Sequence, residues 1–180
     1  NAIILHGTWD NPDNFWFPYI KEGLEIMWYE VWTPILPNAE KPNLKDWLTF
    51  VTENWKFNSE TILIGHSAGS QLILSILEKN EIKIAKAILI SGYAKPLPKD
   101  DQTSIEKDDF LWKKIRNKAG EIFFINSDND PWSCDDKQGK IMFDNLGWTL
   151  IIKHDGHMGS TTYNQPYREF PLILKLCSDI

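Results

Sequence analysis

Six short apolar runs, each followed by a longer stretch with helical periodicity, constrain the fold of this 180-residue chain more than any other feature. They lie at residues 2–5, 30–33, 61–64, 84–90, 121–126 and 148–152 and are rich in Ile and Leu. They do not alternate polar with apolar residues, so they read as strands buried on both faces. Residues 14–26, 43–55, 67–79, 110–117, 135–145 and 166–177 read as helices. In the second of these, Asn43 supplies a cap, and Leu44, Trp47, Leu48 and Val51 form one apolar stripe. Buried strands alternating with helices imply a mostly parallel sheet, and right-handed crossovers put helices on both of its faces. The expected architecture is α/β, a three-layer α/β/α sandwich with about six mostly parallel strands. Residues 92–109, polar and carrying Pro96 and Pro98, form the longest expected loop. A ligand should bind outside the carboxyl ends of the strands.

The length suits one domain spanning 1–180. The net charge is −6, with no basic run, which argues against nucleic acid and anionic membrane surfaces as partners. No apolar run approaches the roughly 18 residues of a membrane helix. The first residues carry no positive segment of the signal-peptide kind, so a cytoplasmic protein is expected. Cys134 and Cys177 form no C-x-x-C pair and are expected as free thiols.

Four polar constellations follow directly on expected strands. Gly65-His66-Ser67-Ala68-Gly69 matches G-x-S-x-G, with Ile62-Leu63-Ile64 before it and Gln71-Leu72-Ile73-Leu74 after it. A nucleophilic serine at such a strand-to-helix turn needs small neighbours, because the turn strains the backbone. The helix N-terminus behind it supplies N–H groups, and that of Ala68 is placed to meet an oxyanion. Without chemistry, the same residues would be a glycine-flanked turn and helix cap.

Asn126-Ser127-Asp128-Asn129-Asp130-Pro131 offers two carboxylates to orient a histidine. Asp130 is favoured over Asp128, because it lies farther past the strand end and Pro131 fixes the following turn. An Asx-type turn would use the same residues. His154-Asp155-Gly156-His157 offers a loop histidine able to reach a serine, and His157 is preferred. A metal set of His154, Asp155 and His157 is the alternative, with no H-E-x-x-H helix or Cys partner to support it. His6-Gly7-Thr8-Trp9 follows the first strand and can supply a second oxyanion N–H, assigned by position to Thr8. His6, Trp9 and Trp132 are candidate substrate-binding walls; packing at the top of the sheet is the competing role.

The order Ser67, Asp130, His157 is that of the α/β-hydrolases. The chain resembles in particular the small serine-hydrolase family that includes retinoblastoma-binding protein 9 and bacterial YdeN-type proteins. The resemblance is carried by Ile4-Leu5-His6-Gly7, Asn14-Phe15-Trp16-Phe17-Pro18, Leu44-Lys45-Asp46-Trp47-Leu48, the Ser67 motif, Ile90-Ser91-Gly92-Tyr93-Ala94, Ser127-Asp128-Asn129-Asp130-Pro131 and Gly156-His157. It implies a compact α/β-hydrolase fold lacking the first two strands of larger hydrolases, and a triad of Ser67, Asp130 and His157. A Leu-x-Cys-x-Glu motif does not carry over: Trp132 and Lys175 stand where the leucine would be, so no pocket-protein partner is expected.

The expected function is hydrolysis of a carboxylic ester or related small acyl substrate, with neither metal nor organic cofactor. Amide or peptide cleavage by the same triad is one alternative. A protein-interaction module with a vestigial triad is another, since six of the nine tryptophans fall in the first 55 residues. An ordinary histidine as base predicts activity rising from about pH 6 to 8. A chain used almost wholly for strands and helices leaves no room for a large lid, so an open, shallow acyl site is expected.

Overall fold

The computed structural model describes residues 1–98, 105 and 107–178. The strands are β1 (Ala2–Leu5), β2 (Val31–Trp32), β3 (Ile62–His66), β4 (Ile84–Ile90), β5 (Ala119–Ser127) and β6 (Thr149–Lys153). The helices are α1 (Phe17–Ile26), α2 (Leu44–Asn54), α3 (Ala68–Lys79), α4 (Trp112–Ile115), α5 (Asp136–Leu146) and α6 (Pro171–Ser178). The strands form one sheet in the order β2-β1-β3-β4-β5-β6, and every neighbouring pair is parallel. This is the α/β architecture with six parallel strands that is expected. No helix among the described residues is long and apolar enough to cross a membrane.

Strand alternation explains why both faces of the sheet are apolar. Ile3 and Leu5 of β1, with Leu63 and Leu89, pack in a core shared with α2, α3 and α5. Ala2 and Ile4, with Ile62, Ile64 and Ile90, pack in a second core with α1 and α6. Chain direction across the sheet reverses between β1 and β3: β2 lies on one side of β1 and β3 on the other. The loops leaving β1 and β3 therefore diverge at a crevice, the usual ligand position in such sheets.

Several boundaries differ from expectation, and α4 spans only Trp112–Ile115 where a helix over 110–117 is expected. The first helix starts at Phe17 rather than 14, because Phe15 sits at φ 48°, and Pro18 suits the first turn, where its missing N–H costs nothing. The last helix starts at Pro171 rather than 166. Before it, Ser160 and Gln165 pair as an antiparallel bridge and Tyr167 adopts φ 36°, which together rule out a helical path. β5 is longer than expected, because Ala119 pairs with Ile84 and Ser127 with Lys153. The expected loop 92–109, and with it the expected absence of a lid, falls partly on residues 99–104 and 106, outside the described residues. The Asn43 cap is as expected: its Oδ1 accepts from the N–H groups of Lys45 and Asp46 at 3.0 and 3.2 Å.

α3 is held unusually close to β1. A Cβ on Gly69 would lie 2.3 Å from the carbonyl oxygen of Leu5 and 2.7 Å from that of His6. Both are backbone atoms, so relief requires moving a strand end or the helix. Gly69→Ala is therefore expected to lower unfolding stability by about 3 kcal/mol, against a helix-propensity gain of about 1 kcal/mol. The urea midpoint measures it, and an unchanged midpoint would show that the helix can back away freely.

Candidate active site

Ser67 stands between β3 and α3 at φ 52°, ψ −119°. A side chain held at positive φ costs of order 1–3 kcal/mol and persists only where its surroundings over-determine it. Here the Ser67 N–H donates to the carbonyl of Ile90 at 2.9 Å. The Ser70 hydroxyl donates to the carbonyl of Gly65 at 2.7 Å. A Cβ on Gly65 would lie 2.7 Å from the Gly69 carbonyl oxygen, so the small residues of the motif are required by close approach. Ser67 is the N-cap of α3, yet its side chain makes no capping hydrogen bond. It lines instead a cavity of about 500 Å³, together with Thr8, Trp9, Trp132, Cys134 and His157.

His157, on this cavity wall, is paired with the buried Asp130. His157 Nδ1 donates to Asp130 Oδ2 at 2.8 Å, and Asp130 Oδ1 accepts from the Trp132 N–H at 2.8 Å. Both carboxylate oxygens are thereby satisfied inside the protein, as a buried charge requires. Because a carboxylate only accepts, the Nδ1 proton is fixed and Nε2 keeps its lone pair. Burial pushes the His157 pKa below its ordinary 6.5; the hydrogen bond and charge of Asp130 oppose this, and His66 adds to it.

The His157 loop is positioned by residues that sequence reasoning did not assign. The carbonyl oxygen of His157 accepts from His66 Nε2 and from the Ser91 hydroxyl, each at 2.9 Å. Its N–H donates to Gln165 Oε1 at 2.9 Å, and the Gly156 N–H donates to Asn129 Oδ1 at 2.8 Å. Gly156 adopts φ 59°, with the Gln165 amide packed where a Cβ would go. Trp16, fully buried, donates its Nε1–H to the carbonyl of the next residue, Met158, at 2.9 Å. Ser91 and His66 were visible as polar residues at strand ends, but their partner lies far along the chain and only the fold brings it near.

The other candidates separate. Asp128 pairs with His154, Nδ1 to Oδ1 at 2.6 Å, on an exposed surface away from the cavity. His6 is buried and absent from the cavity wall: its Nδ1 donates to the Gly7 carbonyl at 2.8 Å and its Nε2 accepts from the Leu36 N–H at 3.0 Å. The expected contact of His6 with substrate thus gives way to tying down the loop that carries Gly7 and Thr8. Its pKa is lowered by burial. Trp9 and Trp132 do line the cavity, Trp9 at φ 61° and largely exposed. Ala68 is fully buried at the first turn of α3.

Cys134 was not anticipated at the site. Its thiol is buried on the same cavity wall as Ser67 and is pushed well above the ordinary thiol pKa, chiefly by burial, with the charge of Asp130 adding to it. Both cysteines are free thiols. Asp130, Cys134 and His157 each bring one ligand-type atom within 4.8 Å of the others. The sequence-based set of His154, Asp155 and His157 is split apart, with His154 on Asp128 and Asp155 on Lys153 and Tyr167.

Residues 2–177 match the serine hydrolase family. YdeN of Bacillus subtilis is 35% identical over 100 residues, a stretch covering 54% of this chain and 53% of that protein, so the alignment spans about half its length. Serine hydrolase RBBP9 of Rattus norvegicus is 24% identical over 173 residues, covering 93% of this chain and 91% of that one. The crystal structure of the B. subtilis ydeN gene product superposes with a TM-score of 0.88 at 26% identity, covering 97% and 95% of the two chains. Est1E of Butyrivibrio proteoclasticus, solved with ferulic acid bound, has a TM-score of 0.66 at 12% identity over 99% and 86%, a likeness of fold alone.

Proposed function

The chain belongs to the serine hydrolase family, and from that premise we propose that it cleaves a carboxylic ester of a small acyl compound, with Ser67 as nucleophile, His157 as general base and Asp130 as its orienting acid. One observation carries this reading: a serine held at positive φ lines the same cavity as a histidine whose Nδ1 is bound by a buried carboxylate.

Ser67 Oγ attacks the ester carbonyl carbon while His157 Nε2 takes its proton. The carbonyl π pair moves onto oxygen, and the N–H groups of Ala68 and Thr8 stabilise that oxyanion. Collapse of the intermediate breaks the C–O bond, and the imidazolium gives its proton to the departing alcohol. Water then attacks the acyl-serine with His157 again as base, releasing the acid and restoring Ser67. Asp130 stays ionised throughout and stabilises the transient imidazolium. Every proton is supplied by Ser67, His157 and water, so the cycle is complete within these residues.

A fluorophosphonate probe is expected to label the protein at Ser67, identified by peptide mass spectrometry. Labelling at another residue, or none, would overturn the assignment. The pH profile carries a sign. The base works only when neutral, and burial holds the His157 pKa below 6.5. Turnover therefore falls as pH drops through that lowered value, and the acid limb of kcat/KM has its midpoint below 6.5. This moves downward the rise expected from an ordinary histidine, because the sequence does not reveal how deeply the ring is buried.

A further inference from the structure

Asp10 follows the proposed oxyanion loop, and its side chain takes no part in the chemistry described above. Its carboxylate is mostly enclosed, with 13% of the side chain exposed, and it forms part of the cavity wall. Among the described residues lining that cavity there is no lysine or arginine, and Asp10 is the one carboxylate. A Cβ on Gly7 would lie 3.0 Å from Ser67 Cβ and 3.3 Å from Asp10 Oδ2, so the carboxylate stands within about 6 Å of the nucleophile's Cβ. Two neighbouring groups approach it only at long range. His66 Nδ1 is 3.7 Å from Oδ2, without a hydrogen bond, and the Asn14 amide reaches Oδ1 at a long 3.4 Å.

A negative charge at this distance opposes the oxyanion that ester cleavage must form beside it. A substrate cation between the two would remove that penalty and add an attraction of its own. Trp9, Tyr93 and Trp132 stand on the same cavity wall, and aromatic rings attract ammonium groups. We propose that Asp10 makes this site selective for acyl esters that carry an ammonium group a few bonds from the scissile carbonyl, and disfavours acyl groups that carry a carboxylate. This rests on the hydrolase reading of Ser67 and His157. The field of Asp10 also reaches His157, where it favours the protonated ring, in keeping with its nearness to the reacting groups.

The test compares phenyl esters of 3-aminopropanoate, butanoate and succinate, which match in chain length and differ in charge. Each kcat/KM is divided by the ester's own hydroxide-catalysed rate, which removes intrinsic reactivity. The wild-type protein is expected to rank them cationic, neutral, anionic. In Asp10→Asn the ratio of 3-aminopropanoyl to butanoyl turnover should fall roughly ten- to hundredfold. The ranking in the wild-type protein needs no variant, so a poorly folding Asp10→Asn does not remove the test. Absence of that ranking, or a ratio that Asp10→Asn leaves within twofold, overturns the proposal alone when butanoyl ester is still hydrolysed. Loss of all ester turnover together with absent fluorophosphonate labelling of Ser67 overturns the hydrolase reading and this proposal with it.

Discussion

Ser67→Ala is expected to lower ester kcat by about 10⁶-fold while leaving the protein folded. The size follows from what is removed: without Oγ there is no acyl-enzyme, and only binding and oxyanion stabilisation remain to act on a water attack. The folded state should be nearly unaffected. The Ser67 side chain makes no capping bond, so α3 loses none of its support, and Ala keeps a Cβ at the same strained φ of 52°. Ser67→Gly separates the two roles further. It removes the nucleophile and also the Cβ, so activity is lost while stability is held or gained by up to about 1 kcal/mol. Turnover and urea unfolding, measured on both variants, test this together. An Ala variant within tenfold of wild type would remove Ser67 from the chemistry. A Gly variant clearly less stable than Ala would show that the elbow is not strained.

Asp130→Asn is expected to lower kcat by about 10⁴-fold, and Asp128→Asn by less than about threefold. The contrast is set by position. Asp130 is buried and its Oδ2 takes the Nδ1 proton of His157 at 2.8 Å. An amide there can offer an N–H to Nδ1, which turns the ring to the tautomer whose Nε2 cannot accept a proton. It also removes the charge that stabilises the imidazolium. Asp128 holds only the exposed ring of His154, where solvent replaces the pair at little cost. Asp130→Asn should further depress the acid limb, since the charge favouring the protonated ring is gone. Comparable losses from both substitutions would leave the proposed role of Asp130 unsupported.

Much of this is legible in the sequence alone, for local physical reasons. Strands buried on both faces must be apolar throughout, so β1, β3 and β4 declare themselves, and the right-handed crossover rule does the rest. The Asn43 cap is a contact over two or three residues and is equally visible. So is the Ser67 elbow, because a strained turn between strand and helix demands small residues at fixed offsets. The first and last helices start later than periodicity predicts, at Phe17 and Pro171 in place of residues 14 and 166. Positive φ at Phe15 and Tyr167 is imposed by tertiary packing and leaves no mark on periodicity.

The sequence by itself determined the parallel sheet, the elbow that presents Ser67, and the short segments from which an acid and a base could come. The elbow and those segments rest on interactions within a dozen residues; the sheet is implied by the alternation of two-sided apolar runs with helices, although its ladders join residues as far apart as Ala2 and Ile62. Only the tertiary structure decided which carboxylate faces which histidine, turning Asp130 inward to His157 and leaving Asp128 outside with His154. The same holds for His6, whose two ring nitrogens are taken up by Gly7 and Leu36. It holds also for Cys134 and Asp10, which reach the cavity wall from loops after different strands. Such pairings join residues far apart in the chain, at distances that matter within tenths of an ångström. A one-dimensional pattern records which groups are available, and packing of the whole sheet selects which of them meet.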